Sequence, residues 1–217
     1  LCNVHSVVTA SQSADFGSVI RQADMALPDG SPVAWALRRA GLAKQQRING
    51  PDLMWRYLAI AERIGQTVYL YGSTEATLEK LRQRLALHFP NLRIAGTLPP
   101  AFRELTDQED QAHVDAINQS GAHVVFVGLG CPKQEAWMAQ HRSRVHAVMI
   151  GVGAAFDYHA GTLRRAPVWM QKAGLEWLHR LASEPRRLMK RYASTNSVFV
   201  GRLMKTWFIE HTPHKNG

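Results

Sequence analysis

Short apolar runs that alternate with amphipathic segments are the feature that most constrains the fold of this chain of 217 residues. Most of these runs are rich in β-branched or aromatic residues, and each is followed by a stretch with helical spacing. Strands that are apolar on both faces are typical of a parallel sheet covered by helices on both sides. The sequence therefore predicts a Rossmann-like α/β fold, with strands at Thr67–Tyr71, Leu92–Ala95, His123–Gly128 and Val145–Gly151.

The helices that would cover this sheet have recognisable beginnings. Thr106-Asp107-Gln108-Glu109 matches a capping box, so a helix is predicted from there to about Gln119. A second helix is predicted over Thr74–His88, and a third begins near Lys133. In parallel sheets ligands bind beyond the carboxyl ends of the strands, so the loops before these helices are candidate binding loops.

The positive charge is concentrated at the end of the chain. The net charge is +9, and residues 161–217 contain eleven Lys and Arg against three Glu, whereas residues 1–160 are nearly neutral. Apolar residues, three of the six tryptophans among them, are interleaved with these cations. Pro167 and Pro185 punctuate what we expect to be short helices. This predicts two domains: an α/β domain over 1–160 that would carry any chemistry, and a basic amphipathic helical appendage over 161–217. The helices of the appendage either lie on a membrane surface, which the excess of positive charge favours, or pack on the α/β domain as ordinary amphipathic helices.

Cysteine content and hydropathy limit the cellular compartments in which the protein can be located. Cys2 and Cys131 make no disulfide framework and fit a reducing compartment. No apolar run reaches the roughly 20 residues that span a bilayer, and no signal peptide opens the chain. The first residue is Leu1, so we expect the natural chain to begin earlier. Together with the basic apolar tail, these features predict a peripheral membrane protein of a reducing compartment.

Three strand ends carry glycine in a pattern that suits a phosphate group. They are Gly72-Ser73, Gly128 with Gly130, and Gly151 with Gly153. Glycine lets the backbone approach a ligand closely, and amides at a helix N-terminus favour an anion. Each could equally be an ordinary turn, and neither GxG is a dinucleotide fingerprint, because the third glycine is missing. Together they make a nucleotide site plausible.

Two polar segments could carry chemistry. Asp29 lies in Leu27-Pro28-Asp29-Gly30, where it is either a turn aspartate bonded to its own backbone or a general base. Gln134 and Glu135, in Cys131–Glu135, are either plain residues of a helix N-terminus or ligands of sugar hydroxyls. The histidines are scattered and no DxD pair is present, so we expect no metal site.

Five segments together resemble the WecG/TagA/CpsF family of glycosyltransferases (glycosyltransferase family 26). They occur in the family's order and extend over nearly the whole chain. The combination of PKQE with GLEW, RL and EP is highly specific. The matching segments are Leu27–Gly30, Arg47–Leu53, Val127–Glu135, Gly151–Gly161 and Arg165–Arg187. In the family a strand and a helix precede these segments.

The resemblance implies an inverting, metal-independent transfer of a hexose from a UDP-sugar to a polyprenyl-diphosphate-linked sugar. The products of such a reaction are precursors of surface polysaccharide, exopolysaccharide or teichoic acid linkages in bacteria. The donor is a UDP-sugar substrate, and no cofactor is expected. Glucose, N-acetylmannosamine and its uronic acid are the donor sugars that the family offers.

The resemblance also implies roles for individual residues. Asp29 matches the proposed base, Arg47 would stabilise the leaving UDP, and Gln134 would contact the sugar or nucleotide. Asn3 matches a T-x-N segment whose threonine is Leu1 here. The other residues that it places around the substrates are Gly30, Gly72, Ser73, Gly128, Gly130, Lys133, Glu135, Gly151, Gly153, Asp157, Arg180, Arg187 and Arg191.

The expected partners are a UDP-hexose, a lipid-linked sugar acceptor and the cytoplasmic membrane surface, with self-association possible through exposed apolar surface. Two other interpretations remain open. One is a catalytically weak family member that serves as a scaffold in a polysaccharide assembly complex. The other is a nucleic-acid-binding protein, which the pI near 10 suggests but the concentration of charge in one apolar tail disfavours.

Overall fold

The computed structural model describes the backbone of residues 1–211, and the side chains of these residues except 187, 190, 191 and 206–211. Four parallel strands form one sheet in the order β2-β1-β3-β4. The strands are β1 (Thr67–Gly72), β2 (Arg93–Leu98), β3 (Val124–Gly128) and β4 (Val148–Gly151). The helices are α1 (Val4–Gln12), α2 (Ala14–Gln22), α3 (Ser31–Arg39), α4 (Gly50–Ile64), α5 (Glu75–His88), α6 (Asp107–Gln119), α7 (Lys133–His141), α8 (Ala155–Ala160), α9 (Val168–Lys172), α10 (Glu176–Ser183) and α11 (Pro185–His211).

The sheet is covered on both faces, as the sequence predicts. In β1, Val68 and Leu70 pack into one buried cluster with residues of α4, α5 and α8. Tyr69 and Tyr71 point to the opposite face and pack with residues of α6 and α7. Successive strand residues alternate between the faces, so a strand buried on both must be apolar throughout. The Rossmann-like α/β class is confirmed.

Helix beginnings follow the local sequence closely. Thr106 accepts a hydrogen bond from the Glu109 backbone N–H, and Glu109 accepts one from the Thr106 backbone N–H. The predicted capping box of α6 is therefore present. Thr74 caps α5 in the same manner, by accepting from the Thr77 backbone N–H. Each cap satisfies a donor that the first helical turn leaves unpaired.

The last strand is shorter than predicted. It begins at Val148 rather than Val145, because the preceding backbone is bonded elsewhere. Val145 donates its N–H to the His141 carbonyl, and His146 donates to the Asn118 side chain. Val145 is nevertheless buried, since it packs in the cluster beneath the sheet. The apolar run was recognised correctly, but its first residues fill the core without forming sheet hydrogen bonds.

The chain packs as two compact units. The sheet unit contains Leu1, Ser18–Leu27 and Ile48–Arg164, and the helical unit contains Cys2–Gly17, Pro28–Arg47 and the chain from Arg165 onward. These units describe packing and not the binding of substrates. The division into a catalytic domain over 1–160 and a membrane-associating appendage over 161–217 therefore stays a prediction.

The helical unit is built around a helix longer than the sequence suggested. Pro185 is the first residue of α11, which runs for 27 residues and not as a series of short helices. Proline at this position loses no helical hydrogen bond, so it begins the helix and does not break it. Helix α1 packs along α11, and Arg202 donates to the Ser11 carbonyl at 3.4 Å. Within the described residues, no helix is long and apolar enough to cross a membrane.

Candidate functional site

In the sheet unit, the three predicted glycine loops lie at the carboxyl end of the parallel strands. β2 lies on one side of β1, and β3 and β4 lie on the other, so the chain changes direction between β1 and β3. Gly72 and Gly128, the last residues of these two strands, are register partners. The carboxyl end of such a switch point is where open α/β sheets bind ligands. Gly72, Gly128 and Gly151 therefore lie where a nucleotide site is expected.

Close packing accounts for the glycines at the strand ends. A β-carbon on Gly72 would lie 2.6 Å from the Gly128 carbonyl carbon, and one on Gly128 would lie 2.8 Å from the Phe156 ring. Ser73, which follows β1, has a φ of 59°, a left-handed conformation that non-glycine residues rarely adopt. Both glycines are required by the fold itself, so their presence alone does not indicate a ligand.

Gln134 joins two of these loops through its side-chain amide. Its Oε1 accepts a hydrogen bond from the Gly153 backbone N–H at 3.0 Å, which fixes the loop after β4. Its Nε2 donates to Glu135 Oε1 at 2.8 Å. Gln134 and Glu135 are only 3% and 5% exposed. The structure thus gives Gln134 a positioning role, and the predicted contact with the substrate remains a prediction.

Glu135 carries an unusual buried oxygen. Its Oε2 has no hydrogen-bond partner among the described residues, although the carboxylate is buried at the beginning of α7. A buried carboxylate oxygen without a partner is costly unless a ligand or water donates to it. Glu135 is therefore the residue of the PKQE segment with unused capacity to accept a hydrogen bond from a substrate hydroxyl.

We expect Gln134→Met to destabilise the protein by about 2 kcal/mol or more, because it leaves the Gly153 N–H and Glu135 Oε1 without their partners in a buried site. Chemical denaturation followed by circular dichroism measures the change. Gln140→Met is the matched control, since Gln140 is exposed on the same helix. Equal stability of the two variants would show that the bridge contributes nothing.

The helical unit contains the predicted base. Asp29 follows a short bridge between Cys2 and Pro28, and its backbone N–H donates to the Cys2 carbonyl at 2.9 Å. Gly30, with a φ of 96°, turns the chain into α3 directly after it. Burial raises the pKa of Asp29 from 3.8 to about 6; the Glu176 charge also raises it, whereas Arg47 and Arg180 lower it.

The pKa of Asp29 bears on its two interpretations, a turn aspartate and a general base. A turn aspartate that accepts hydrogen bonds from its own backbone has a stabilised charge and an ordinary or lowered pKa. Asp29 has the opposite behaviour, because its charge is desolvated more than it is compensated. A carboxylate whose pKa lies about one unit below neutral pH is mostly ionised and still basic enough to accept a proton. This pKa is compatible with a general base, and that role of Asp29 stays a prediction.

Arg47 is held by a residue that the sequence did not single out. Glu176 Oε2 lies 3.3 Å from Arg47 Nη1, and Glu176 Oε1 lies 3.2 Å from Arg165 Nε. All three side chains are half-buried. The signal was present in the GLEW segment, but an acid between two arginines that are 118 residues apart in sequence can be recognised only from the fold.

The remaining predicted residues of the helical unit have varied environments. Asn3 caps α1, where its Oδ1 accepts from the Ser6 backbone N–H at 3.2 Å. Arg180 lies 3.9 Å from Glu184, and its buried Nε makes no hydrogen bond to the described residues. Arg187 and Arg191 belong to α11, but their side chains lie outside the described residues.

The remaining predicted residues of the sheet unit are less informative. Lys133 is exposed at the first position of α7, and Gly130 adopts a φ of 79° in the loop before it. The Asp157 backbone carbonyl accepts from Thr162 and Leu163 beyond the end of α8. Among the side chains that the structure describes, no three from His, Cys, Asp or Glu come together as metal ligands. The expected metal independence stays a prediction.

The comparison with known families agrees with the resemblance noted in the sequence. Residues 1–213 match the family described as "Glycosyl transferase WecG/TagA/CpsF family". The match extends over nearly the whole chain, so it includes the sheet edge with Gln134 and Glu135 as well as the segments with Asp29 and Glu176. This protein belongs to the WecG/TagA/CpsF family of glycosyltransferases.

Proposed function

We propose that this glycosyltransferase moves a hexose from a UDP-sugar to a polyprenyl-diphosphate-linked sugar, with inversion at the anomeric carbon and without a metal ion. The observation that carries the proposal is Asp29, a carboxylate whose pKa of about 6 suits a general base. Arg47 and Arg180 in the same compact unit supply the cations that a diphosphate leaving group requires.

The step is a single displacement. The acceptor hydroxyl oxygen attacks the anomeric carbon of the donor, and Asp29 takes the hydroxyl proton. A new bond forms between that oxygen and the anomeric carbon, while the bond from the anomeric carbon to the UDP oxygen breaks. UDP leaves with the bonding electrons, so it gains negative charge that needs electrostatic stabilisation more than a proton. Arg47 and Arg180 would provide that stabilisation.

Glu176 would set the balance of charge in this site. It neutralises part of the charge of Arg47 and Arg165 before substrate binds, and it raises the pKa of Asp29. When a diphosphate binds, it competes with Glu176 for the two guanidinium groups. Glu176 is thus proposed to position both arginines and to keep the pKa of Asp29 high enough for it to accept a proton. It would not contact the reacting atoms itself.

The membrane surface is proposed as the place of the reaction, because the acceptor is a lipid. Helices α9–α11 combine cations with exposed apolar side chains, which is the composition of an interfacial segment. The exposed apolar residues on these helices are Val168, Trp169, Trp177, Leu178, Met189, Val200 and Met204. Location on the cytoplasmic face would give access to UDP-sugars.

UDP release tests the proposed activity. The protein is incubated with a panel of UDP-hexoses and a short-chain polyprenyl-diphosphate sugar, with and without EDTA. Release from one donor that requires the acceptor and is unaffected by EDTA is the expected result. Absence of both release and UDP binding by calorimetry would overturn the proposal, and binding without release would favour the scaffold.

We expect Glu176→Gln to move the acidic limb of the pH–rate profile to lower pH. Removing the Glu176 charge lowers the pKa of Asp29, so the base is ionised over a wider range. The measurement is kcat/KM between pH 4.5 and 8, with Glu104→Gln, an exposed acid absent from the charges that act on Asp29, as control. If kcat/KM decreases at every pH while the acidic limb stays at the same pH, Glu176 acts only as a structural ion pair.

A further inference from the structure

We propose that the exposed face of α3 and the segment after it bind an anionic lipid surface, as a second contact apart from helices α9–α11. This α3 surface consists of Trp35, Arg38 and Arg39 on the helix, and of Leu42 and Lys44 in the segment after it. The inference takes the identity of the partner from the proposed function. Its basis is the charge and exposure of residues outside the last quarter of the chain.

The opposite face of α3 is the one that packs on the protein. Val33 and Ala34 are 6% and 0% exposed, whereas Trp35 and Leu42 are 49% and 54% exposed. Within α3, positions 35, 38 and 39 follow the i, i+3, i+4 spacing of one helical face. Leu42 lies in the segment after the helix, beyond Gly41 with its φ of 98°. Large apolar side chains thus lie in solvent beside cations.

The charge of this surface has one sign. Residues 30–51 contain Arg38, Arg39, Lys44 and Arg47 and no acidic residue. Of these cations Arg47 is paired with Glu176, and the other three side chains are exposed. A patch that combines cations with apolar side chains complements a surface of anionic headgroups above acyl chains.

The local geometry holds these groups in place. The Arg39 guanidinium lies over the Trp35 ring, 5.9 Å from its centroid, and Arg38 Nη1 donates to the Gln45 carbonyl at 3.0 Å. The second contact folds the 40–45 segment back towards the helix. Tryptophan and arginine side chains both suit the interface of a bilayer, because each combines an apolar part with a polar or charged end.

The start of α3 lies close to the helices proposed to contact the membrane. A β-carbon on Gly174, between α9 and α10, would lie 2.9 Å from the Ser31 hydroxyl at the start of α3. Glu176 at the start of α10 pairs with Arg47, which follows the α3 surface in sequence. Two lipid-binding surfaces in one compact unit would fix the orientation of Asp29 and the diphosphate-binding arginines towards the bilayer.

Vesicle co-sedimentation of the full chain tests the proposal. The probes are vesicles of phosphatidylcholine with phosphatidylglycerol, and vesicles of phosphatidylcholine alone. The test variant is Arg38→Gln/Arg39→Gln/Lys44→Gln, and the control is Arg56→Gln/Arg63→Gln/Lys80→Gln, which removes the same charge from exposed positions of α4 and α5. Each cation near an anionic surface contributes about fivefold, so the test variant should bind anionic vesicles on the order of a hundredfold more weakly.

The expected result is a large loss for the test variant, a small loss for the control, and an additional loss for Trp35→Ser/Leu42→Ser, all with unchanged circular dichroism. Equal losses in both triple variants, or none in either, would overturn the proposal. The proposal would also be overturned if the test variant lost binding to a labelled RNA or DNA oligonucleotide while its vesicle binding stayed intact. The α3 surface would then be a nucleic-acid-binding surface. UDP release with the short-chain polyprenyl-diphosphate acceptor is measured in parallel; if the wild type neither releases nor binds UDP, the proposed function fails independently of the vesicle result.

Discussion

Asp29→Asn should lower kcat by about 10²–10⁴-fold and leave donor binding nearly unchanged, because it removes the proton acceptor but keeps the size and shape of the side chain. Steady-state kinetics with the identified UDP-sugar gives kcat, and calorimetry gives the affinity for UDP. In the wild type, kcat/KM should fall as pH decreases through about 6, where Asp29 becomes protonated.

The same substitution should stabilise the fold. The pKa of Asp29 is raised from 3.8 to about 6 on folding, so the folded state binds a proton more tightly than the unfolded state. Stability therefore falls as pH rises from 3.8 to about 6, and the full cost persists at neutral pH. Asparagine has no charge to desolvate, so Asp29→Asn should be more stable by on the order of 2 kcal/mol at neutral pH.

Asp115→Asn is the control for both effects, since Asp115 is an exposed aspartate of α6. It should change neither turnover nor stability appreciably. A gain in stability together with a loss of turnover is the signature of a residue kept for function at the expense of the fold. Turnover of Asp29→Asn equal to that of the wild type would remove Asp29 from the role of base.

Asp110→Ala should destabilise the protein by about 3 kcal/mol or more, the largest effect on stability expected from any single substitution considered for this chain. His141 Nε2 lies 2.8 Å from Asp110 Oδ1, and Arg144 Nη1 lies 2.7 Å from Asp110 Oδ2. His141 is buried, and its Nδ1 lies 2.7 Å from the Trp137 carbonyl oxygen. Arg144 Nη1 also lies 3.3 Å from His141 Nε2, so Asp110, His141 and Arg144 form one polar cluster.

Removing Asp110 leaves the buried Nε2 of His141 without its carboxylate partner and the Arg144 guanidinium without its counter-charge. Burial by itself would raise the pKa of Asp110, but hydrogen bonds from His141 and Arg144 outweigh it and lower the pKa below its ordinary value. The stabilisation is therefore present above the ordinary carboxylate pKa and is lost as pH falls through the lowered one. Denaturant titrations of wild type and variant at neutral and acidic pH measure both effects.

Asp115→Ala serves as the control here, because it lies on the same helix in an exposed position. A difference between Asp110→Ala and Asp115→Ala that does not diminish in acid would contradict the electrostatic explanation. The network connects α6 with the end of α7, whose beginning carries Gln134 and Glu135. We therefore expect that loss of Asp110 also loosens the loop that Gln134 holds.

Much of the sheet unit could be predicted from sequence, because its signals are local. A strand buried on both faces must be apolar at successive positions, so β1 and β3 could be recognised in the sequence as continuous apolar runs. The capping box of α6 could be recognised from four letters. The beginning of β4 could not, since it depends on hydrogen bonds that the backbone of Val145 and His146 makes outside the sheet.

The helical unit was harder to predict, because its organisation depends on contacts that are distant in sequence. Residues 2–17 and 28–47 pack with the C-terminal helices, and no periodicity within those segments indicates it. The environment of Asp29 includes charges from Arg47, Glu176 and Arg180. Motif resemblance indicated Asp29, Arg47 and Arg180, but only the fold showed that Glu176 pairs with Arg47 and Arg165.

The anomeric configuration of the product tests the central claim most directly. Proton NMR of the transferred sugar, compared with that of the α-linked or β-linked UDP-sugar donor, reports the stereochemistry of the step. A single displacement with Asp29 as the base predicts complete inversion, and predicts that the residual product of Asp29→Asn is inverted too. Retention of configuration would contradict the account, since it requires an enzyme-bound intermediate or a front-side attack in which Asp29 has a different role.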